Sequence, residues 1–292
     1  MPLGDEVYAM TESPDMIRVD PAWLETLEKK TLSKMLAAHS ATSHPLLDPD
    51  DGATYNIGTH LGARHSFVLV YFPPGGSESS VDHVRAVGTI PLQSCTSVLY
   101  VYSFGMTEKC VVVLEQSLSM HLPCMLASRY LGYKVYMNAL KFDAKKNVRF
   151  QVMNKKTGQL HPAVFESAAF FTFHHINAFE QGGELVVDLI CYDDDSIIRC
   201  LDYTVDTHMA FKLGHLRRFS LPLNRSPGKR VMIPSRELAK GKLRGELPQI
   251  NNNRNGKPYK YSYSLSNVEG QEHRAFVSKL DVTSGDWICW ER

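Results

Sequence analysis

The twelve histidines of this chain are the first residues to weigh for chemistry. None sits in an H-E-x-x-H helix or a zinc-knuckle spacing. There is also no glycine-rich phosphate loop and no G-x-S-x-G elbow. Zinc hydrolysis, nucleotide binding and serine hydrolysis therefore lack their usual residue sets. What remains is isolated His and Glu at the ends of short apolar runs. The most unusual segment is Phe173-His174-His175-Ile176-Asn177-Ala178-Phe179-Glu180. Successive side chains on a strand face opposite ways, so only one of His174 and His175 can serve a given face. Two readings stay open. Either one His is exposed and the other buried and hydrogen-bonded, or one is a metal ligand whose ring is fixed by an acceptor behind it.

The elements that would position these residues read as short strands. Val68–Phe72 is β-branched and aromatic and stops at Pro73-Pro74-Gly75-Gly76. Val98–Ser103, Cys110–Glu115, Ala168–His174, Leu185–Cys191, Ser196–Cys200 and Arg230–Ile233 are further strand candidates. An amphipathic helix is expected only around Leu24–Ala38, where Thr31 and Ser33 interrupt it. One phrase recurs, an alternating run ending in Asp before a turn, at Asp20, Asp143 and Asp281. Asp at the first position of a turn accepts from the amides beyond it, which marks hairpin corners. Gly75–Asp82 reads as a solvated loop and Leu221–Lys242 as a long surface excursion. The pattern is all-β, as radially repeated sheets or a sandwich array. No interdomain linker emerges, so residues 1–292 read as a single domain.

Composition narrows the partners. A formal charge of +1 and the absence of a basic patch with interleaved aromatics argue against nucleic acid. The start lacks the charged and apolar regions of a secretory signal, and no apolar run reaches membrane-spanning length. Cys95, Cys110, Cys124, Cys191, Cys200 and Cys289 form no C-x-x-C pair. They are expected to be reduced, buried thiols, which points to the cytoplasm.

The run Phe170–Glu180, followed by Leu185-Val186-Val187-Asp188-Leu189, closely resembles the most distinctive motif of the carotenoid cleavage oxygenases. Further phrases follow that family's order: Tyr8-Ala9-Met10-Thr11-Glu12, Arg18-Val19-Asp20-Pro21, and Ala41-Thr42-Ser43-His44-Pro45 with Gly52–Gly58. Then come Ser103-Phe104-Gly105-Met106-Thr107-Glu108, Glu246–Asn251 and Gly256-Lys257-Pro258-Tyr259. The resemblance implies a seven-bladed β-propeller, of which about four to five blades would be present here, with the N- and C-terminal parts missing. It implies iron(II) on four His, three Glu accepting their ring N–H groups, and O2 bound beside an apolar tunnel. The implied reaction is oxidative cleavage of a double bond in a carotenoid or apocarotenoid to two carbonyl products.

Carried over residue by residue, the resemblance makes His44 the first ligand and His174 the third, with His175 facing away. The family's His-Pro-His becomes His44-Pro45-Leu46. Glu12 and Glu246 match two of the three supporting carboxylates. The second ligand position, immediately before Ser103-Phe104-Gly105, holds Tyr102. Tyr102 reads as loss of a ligand, with phenolate ligation as the alternative. The last Glu and His of the family pattern would lie beyond Arg292. The implied chain is thus a family member with a weakened Fe(II) site; the other reading is a non-catalytic fragment that binds a carotenoid, a retinoid or another protein. Ser117–Tyr136, apolar with Arg129 and Lys134 and no acidic residue, reads either as interior core or as peripheral contact with a membrane.

Overall fold

A computed structural model describes residues 1–75, 81–94, 97–131, 139–200 and 212–290, without the side chains of residues 125, 126, 128 and 129. Among these residues strands dominate and pair into five sheets. The first holds Pro2–Leu3, Glu6–Met10, Asp15–Val19 and Thr26–Thr31. In the second, Ser40–Ala41, Thr54–His60, Ser66–Phe72 and Arg85–Pro91 run in order, with Leu46–Leu47 also on Thr54–His60. A small third sheet joins Ser97–Leu99, Leu118–His121 and Leu140–Phe142. The fourth runs Gly105–Met106, Cys110–Glu115, Val148–Asn154, Val164–Ser167 and Arg230–Met232.

The fifth sheet has eight strands and divides in two. One half is His175–Gln181, Glu184–Cys191, Gly214–Pro222 and Ser235–Glu237; the other is Leu243–Gln249, Tyr261–Val268, Phe276–Asp281 and Trp287–Trp290. Among the described residues, only the pairs Gly214–Gly245 and His215–Arg244 join the halves. Four strands in each half make a blade-sized unit, and with the first, second and fourth sheets the chain forms a partial β-propeller.

Alternation explains the stacking. In Ser66–Phe72, Phe67 and Leu69 face Met106, Val111 and Val113 of the fourth sheet. Val68, Val70 and Phe72 face Tyr8 and Met16 of the first. Both faces of this strand are apolar because a blade lies against each, and each such side chain contributes about 1.5–3 kcal/mol by burial. A third core joins Val112, Leu114 and Phe150 to Ala178, Val187 and Phe219.

The strands expected at Val68–Phe72, Cys110–Glu115, Leu185–Cys191 and Arg230–Ile233 form with small shifts of boundary. All three Asp corners form: Asp20 accepts from Ala22 and Trp23, Asp143 from Lys145, and Asp281 from Thr283 and Ser284. Other expectations need correction. Leu24–Ala38 is not one helix: Thr26–Thr31 is strand, because Asp15–Val19 is there to pair with it, and only Leu32–Met35 turns helically. Ser196–Cys200 is a helix, started by the Asp194 carboxylate accepting from the Ser196 amide at 2.8 Å. Val98–Ser103 keeps strand structure only as far as Leu99.

Ala168–His174 is not a strand, since its backbone is tied to separate elements. Phe171 exchanges both hydrogen bonds with Tyr192, and Thr172 donates to Gln116. Leu221–Lys242 is less exposed than expected, burying Ile233 and Leu238. The five described cysteines are free, but only Cys191 is fully buried and Cys289 is exposed. Cys95 and most of the Gly75–Asp82 loop lie outside the described residues.

Candidate metal centre

Each expected ligand position lies where the first strand of a sheet meets its loop. His44 follows Ser40–Ala41, Tyr102 precedes Gly105–Met106, and His174 precedes His175–Gln181. Polar side chains fix these junctions. Asn56 accepts from the Thr42 hydroxyl at 2.7 Å and donates to the Thr42 carbonyl at 2.9 Å, while Thr42 Oγ1 takes the His44 amide at 3.2 Å. Ser103 donates to the Phe173 carbonyl at 2.7 Å and accepts from the His175 amide at 2.9 Å, locking the second junction to the third.

These junctions bring three rings together. His44 and Tyr102 have ring centroids 4.4 Å apart, Tyr102 and His174 5.0 Å, and His44 and His174 5.6 Å. His174 donates its Nδ1–H to Glu246 Oε2 at 2.6 Å. A carboxylate can only accept, so a proton sits on Nδ1 and Nε2 is the nitrogen left to face a ligand. Glu246 is held in turn: Oε2 also takes the Leu247 amide at 2.8 Å, and Oε1 takes the buried Tyr192 hydroxyl at 2.7 Å. Leu247 adopts φ of 53°, a conformation that costs about 1–2 kcal/mol for a side-chain-bearing residue and that aims its amide at this carboxylate.

His175 points the other way. Its Nδ1 meets Ser103 Oγ at 2.9 Å, and its Nε2 is buried without a hydrogen-bond partner among the described residues. Burial, and then the charge of His174, push its imidazole down to about 3. It is a neutral core histidine. His44 is also held neutral, by burial and then by His174, and its Nε2 is buried and unpartnered among the described residues.

Glu12 departs from the expected arrangement. It accepts from the Tyr100 hydroxyl at 3.1 Å and from no imidazole among the described residues. Partial burial raises its carboxyl, and the Tyr100 bond offsets part of that. Tyr102 carries no ring N–H for Glu12 to accept. Burial, then Glu12 and Glu246, raise the Tyr102 hydroxyl, so it stays a neutral phenol at neutral pH. A neutral His44 ring and a His174 ring tied through Nδ1 each turn a nitrogen toward a divalent metal; a neutral phenol is a poor partner for one. No group of three or more His, Cys, Asp or Glu placed to hold a metal occurs among the described residues.

An open depression of about 580 Å3 lies beside Tyr102, lined by Met10, Thr11, Glu12, Ser13, Ser43 and Tyr102. Ser117–Tyr136 forms Leu118–His121, with Leu118 buried, then the helix Leu122–Leu131, where Tyr130 and Leu131 are exposed. Met125, Leu126 and Arg129 have side chains outside the described residues, and Lys134 lies outside them entirely. No described helix is long and apolar enough to cross a membrane.

Sequence reasoning gave no role to two buried polar residues on the strands that follow His174. Asn177 donates to the carbonyls of Arg254 and Lys257 and accepts from the Gly256 amide, clasping the Gly256-Lys257-Pro258-Tyr259 turn. Asp188, fully buried, accepts two bonds from Arg218 and one from Tyr259. The available signal was a polar residue inside an apolar strand run, which must find partners if buried.

Comparison with known proteins follows the same lines. The family model described as retinal pigment epithelial membrane protein matches residues 1–291. A mitochondrial carotenoid-cleaving dioxygenase of Mustela putorius furo is 36% identical over 73% of this chain and 38% of its own length. The β,β-carotene 15,15'-dioxygenase of Rattus norvegicus is 28% identical over 99% of this chain and 56% of its own. A cobalt-substituted apocarotenoid oxygenase of Synechocystis superposes with a TM-score of 0.73 at 20% identity, covering all of this chain and 58% of that one. The chain thus spans little more than half the length of these full-coverage relatives. With a family model matched along its length and the same propeller fold, the chain belongs to the retinal pigment epithelial membrane protein family, the carotenoid oxygenases.

Proposed function

We propose that the chain carries part of an iron(II)- and O2-dependent site for oxidative cleavage of a double bond in a carotenoid or apocarotenoid, and that Tyr102 weakens it. The observation that carries this reading is the His174–Glu246 bond beside the unpartnered Nε2 of His44. His44 and His174 would hold the metal, Glu246 would orient the second of them, and Glu12 would stand behind position 102. Iron(II), when bound, would supply the place where O2 meets the polyene. The protein's own part is to orient two imidazoles and offer an open, partly apolar depression beside Tyr102. Exposed Tyr130 and Leu131 would serve peripheral contact with a membrane holding the apolar substrate, on a cytoplasmic protein.

The neutral phenol of Tyr102 favours a second reading, in which the chain binds a carotenoid or retinoid without cleaving it. Metal titration separates the two. The chain should bind iron(II), or cobalt(II) as a stable probe, weakly and below one equivalent. Tyr102→His should raise affinity about tenfold or more. Stoichiometric iron in the unaltered chain, with aldehyde products from β-carotene, would overturn the impairment. No gain from Tyr102→His would show that position 102 is not a ligand position.

A further inference from the structure

A second, more enclosed cavity of about 360 Å3 lies behind Tyr100 and Glu12, between the first three sheets. Its wall is mainly apolar, with Ala41, Ile57, Val98, Leu99 and Met120 among its lining. Glu12 and Ser13 border this cavity and the open depression alike, so the Glu12 carboxylate stands where the two meet. Tyr102 lines only the open one, and Tyr100 only the enclosed one.

Glu12 has no Lys or Arg partner among the described residues, and its one hydrogen bond there comes from the Tyr100 hydroxyl. Tyr102 supplies no ring N–H to occupy it. The carboxylate is therefore free to take a donor from a molecule in the enclosed cavity. We propose that this cavity binds a compact apolar amine, its body against Val98, Leu99 and Met120 and its ammonium on Glu12 beside the Tyr100 ring. The volume lies in the range of small-molecule sites. A carboxylate ligand would be repelled by Glu12. An alcohol would make a neutral-donor hydrogen bond there, about half as strong as the charge-assisted bond of an ammonium. An aromatic ring next to the carboxylate adds attraction for a cation. This site goes beyond the iron reading and does not depend on it.

Calorimetric titration with aminoadamantane and hydroxyadamantane, which share one cage and differ in the polar group, tests the proposal on the metal-free chain. The amine should bind one to one and about tenfold more tightly than the alcohol, the difference shrinking as salt rises. Glu12→Gln should bring the two affinities together. Val98→Phe, which fills the cavity, should weaken both about tenfold while the thermal midpoint holds. Equal affinities in the unaltered chain, no saturable binding, or an amine preference that survives Glu12→Gln would overturn the proposal. Glu12 is solvent-accessible, so Glu12→Gln tests it even if Val98→Phe fails to fold.

Discussion

At the scale of single residues, Glu246 is bonded through both carboxylate oxygens. Removing one of its partners leaves a buried oxygen unpaired, which costs about 1–3 kcal/mol. Tyr192→Phe deletes only the hydroxyl that meets Oε1 and keeps the ring stacked on Phe171 at 5.1 Å. It should lower stability by about that amount in urea denaturation, and cobalt(II) affinity should fall with it. An unchanged midpoint and affinity would mean that water replaces the phenol without loss. Glu115 gives the opposite case. It is buried, and desolvation raises its carboxyl despite Gln151, Arg149 and Lys146. The folded state thus resists ionising a group that ionises freely once unfolded. Its contribution is intact at low pH and is lost as pH rises from the unfolded value through the raised folded one. Glu115→Gln should raise the thermal midpoint at neutral pH and leave it unchanged near pH 4. Equal gains at both values would assign the effect to something other than ionisation.

At the scale of elements, much of the chain was legible because alternation is local. A run such as Cys110–Glu115 has few ways to bury its valines except as a strand between two blades. The misread segments are those where a partner distant in sequence decides. Thr26–Thr31 becomes strand because Asp15–Val19 is there to pair with it, and Ala168–His174 is pulled apart by Tyr192 and Gln116. Ser196–Cys200 was readable in principle, since Asp194 and Asp195 ahead of Ser196 mark a helix start. The site was legible only in part. The phrases pointed to His44, His174 and Glu246, which do lie together, but the Tyr100–Glu12 bond depends on contacts across 88 positions that no local pattern shows. Gly105 explains one of those phrases physically. A Cβ there would meet Val112 Cγ1 at 2.6 Å and Ala178 Cβ at 2.9 Å, where the first strands of the fourth and fifth sheets touch. Gly105→Ala should destabilise by about 1–3 kcal/mol through overpacking. It should also move His174, seen as weaker cobalt(II) binding. A neutral substitution would mean that the two strands part freely.

At the scale of the molecule, the two ends of the stack of sheets differ from its middle. Inside, a strand such as Ser66–Phe72 is apolar on both faces because a blade covers each. In the last half-sheet the alternation persists, but one face has no cover among the described residues. Ser264, Ser266 and Ser278 bond one another on the buried side. The other side presents two cross-strand rows, Leu265–Val277–Trp290 and Tyr263–Lys279–Ile288, next to Tyr261. Val277, Ile288 and Trp290 are each at least half exposed. Beyond Trp287–Trp290 the sheet edge has no strand partner among the described residues. A largely apolar face, interrupted by Lys279, beside an open edge is a template for association, and a net charge of +1 offers little repulsion against it. Sedimentation velocity of the 292-residue chain should show species larger than a monomer that dissociate on dilution. The double variant Val277→Lys with Ile288→Lys places a charge in each row without touching the buried serines, and should shift the distribution to monomer while the thermal midpoint holds. A monodisperse monomer across the concentration range in the unaltered chain would show instead that this face stays solvated, its aromatic and aliphatic groups too scattered to drive association.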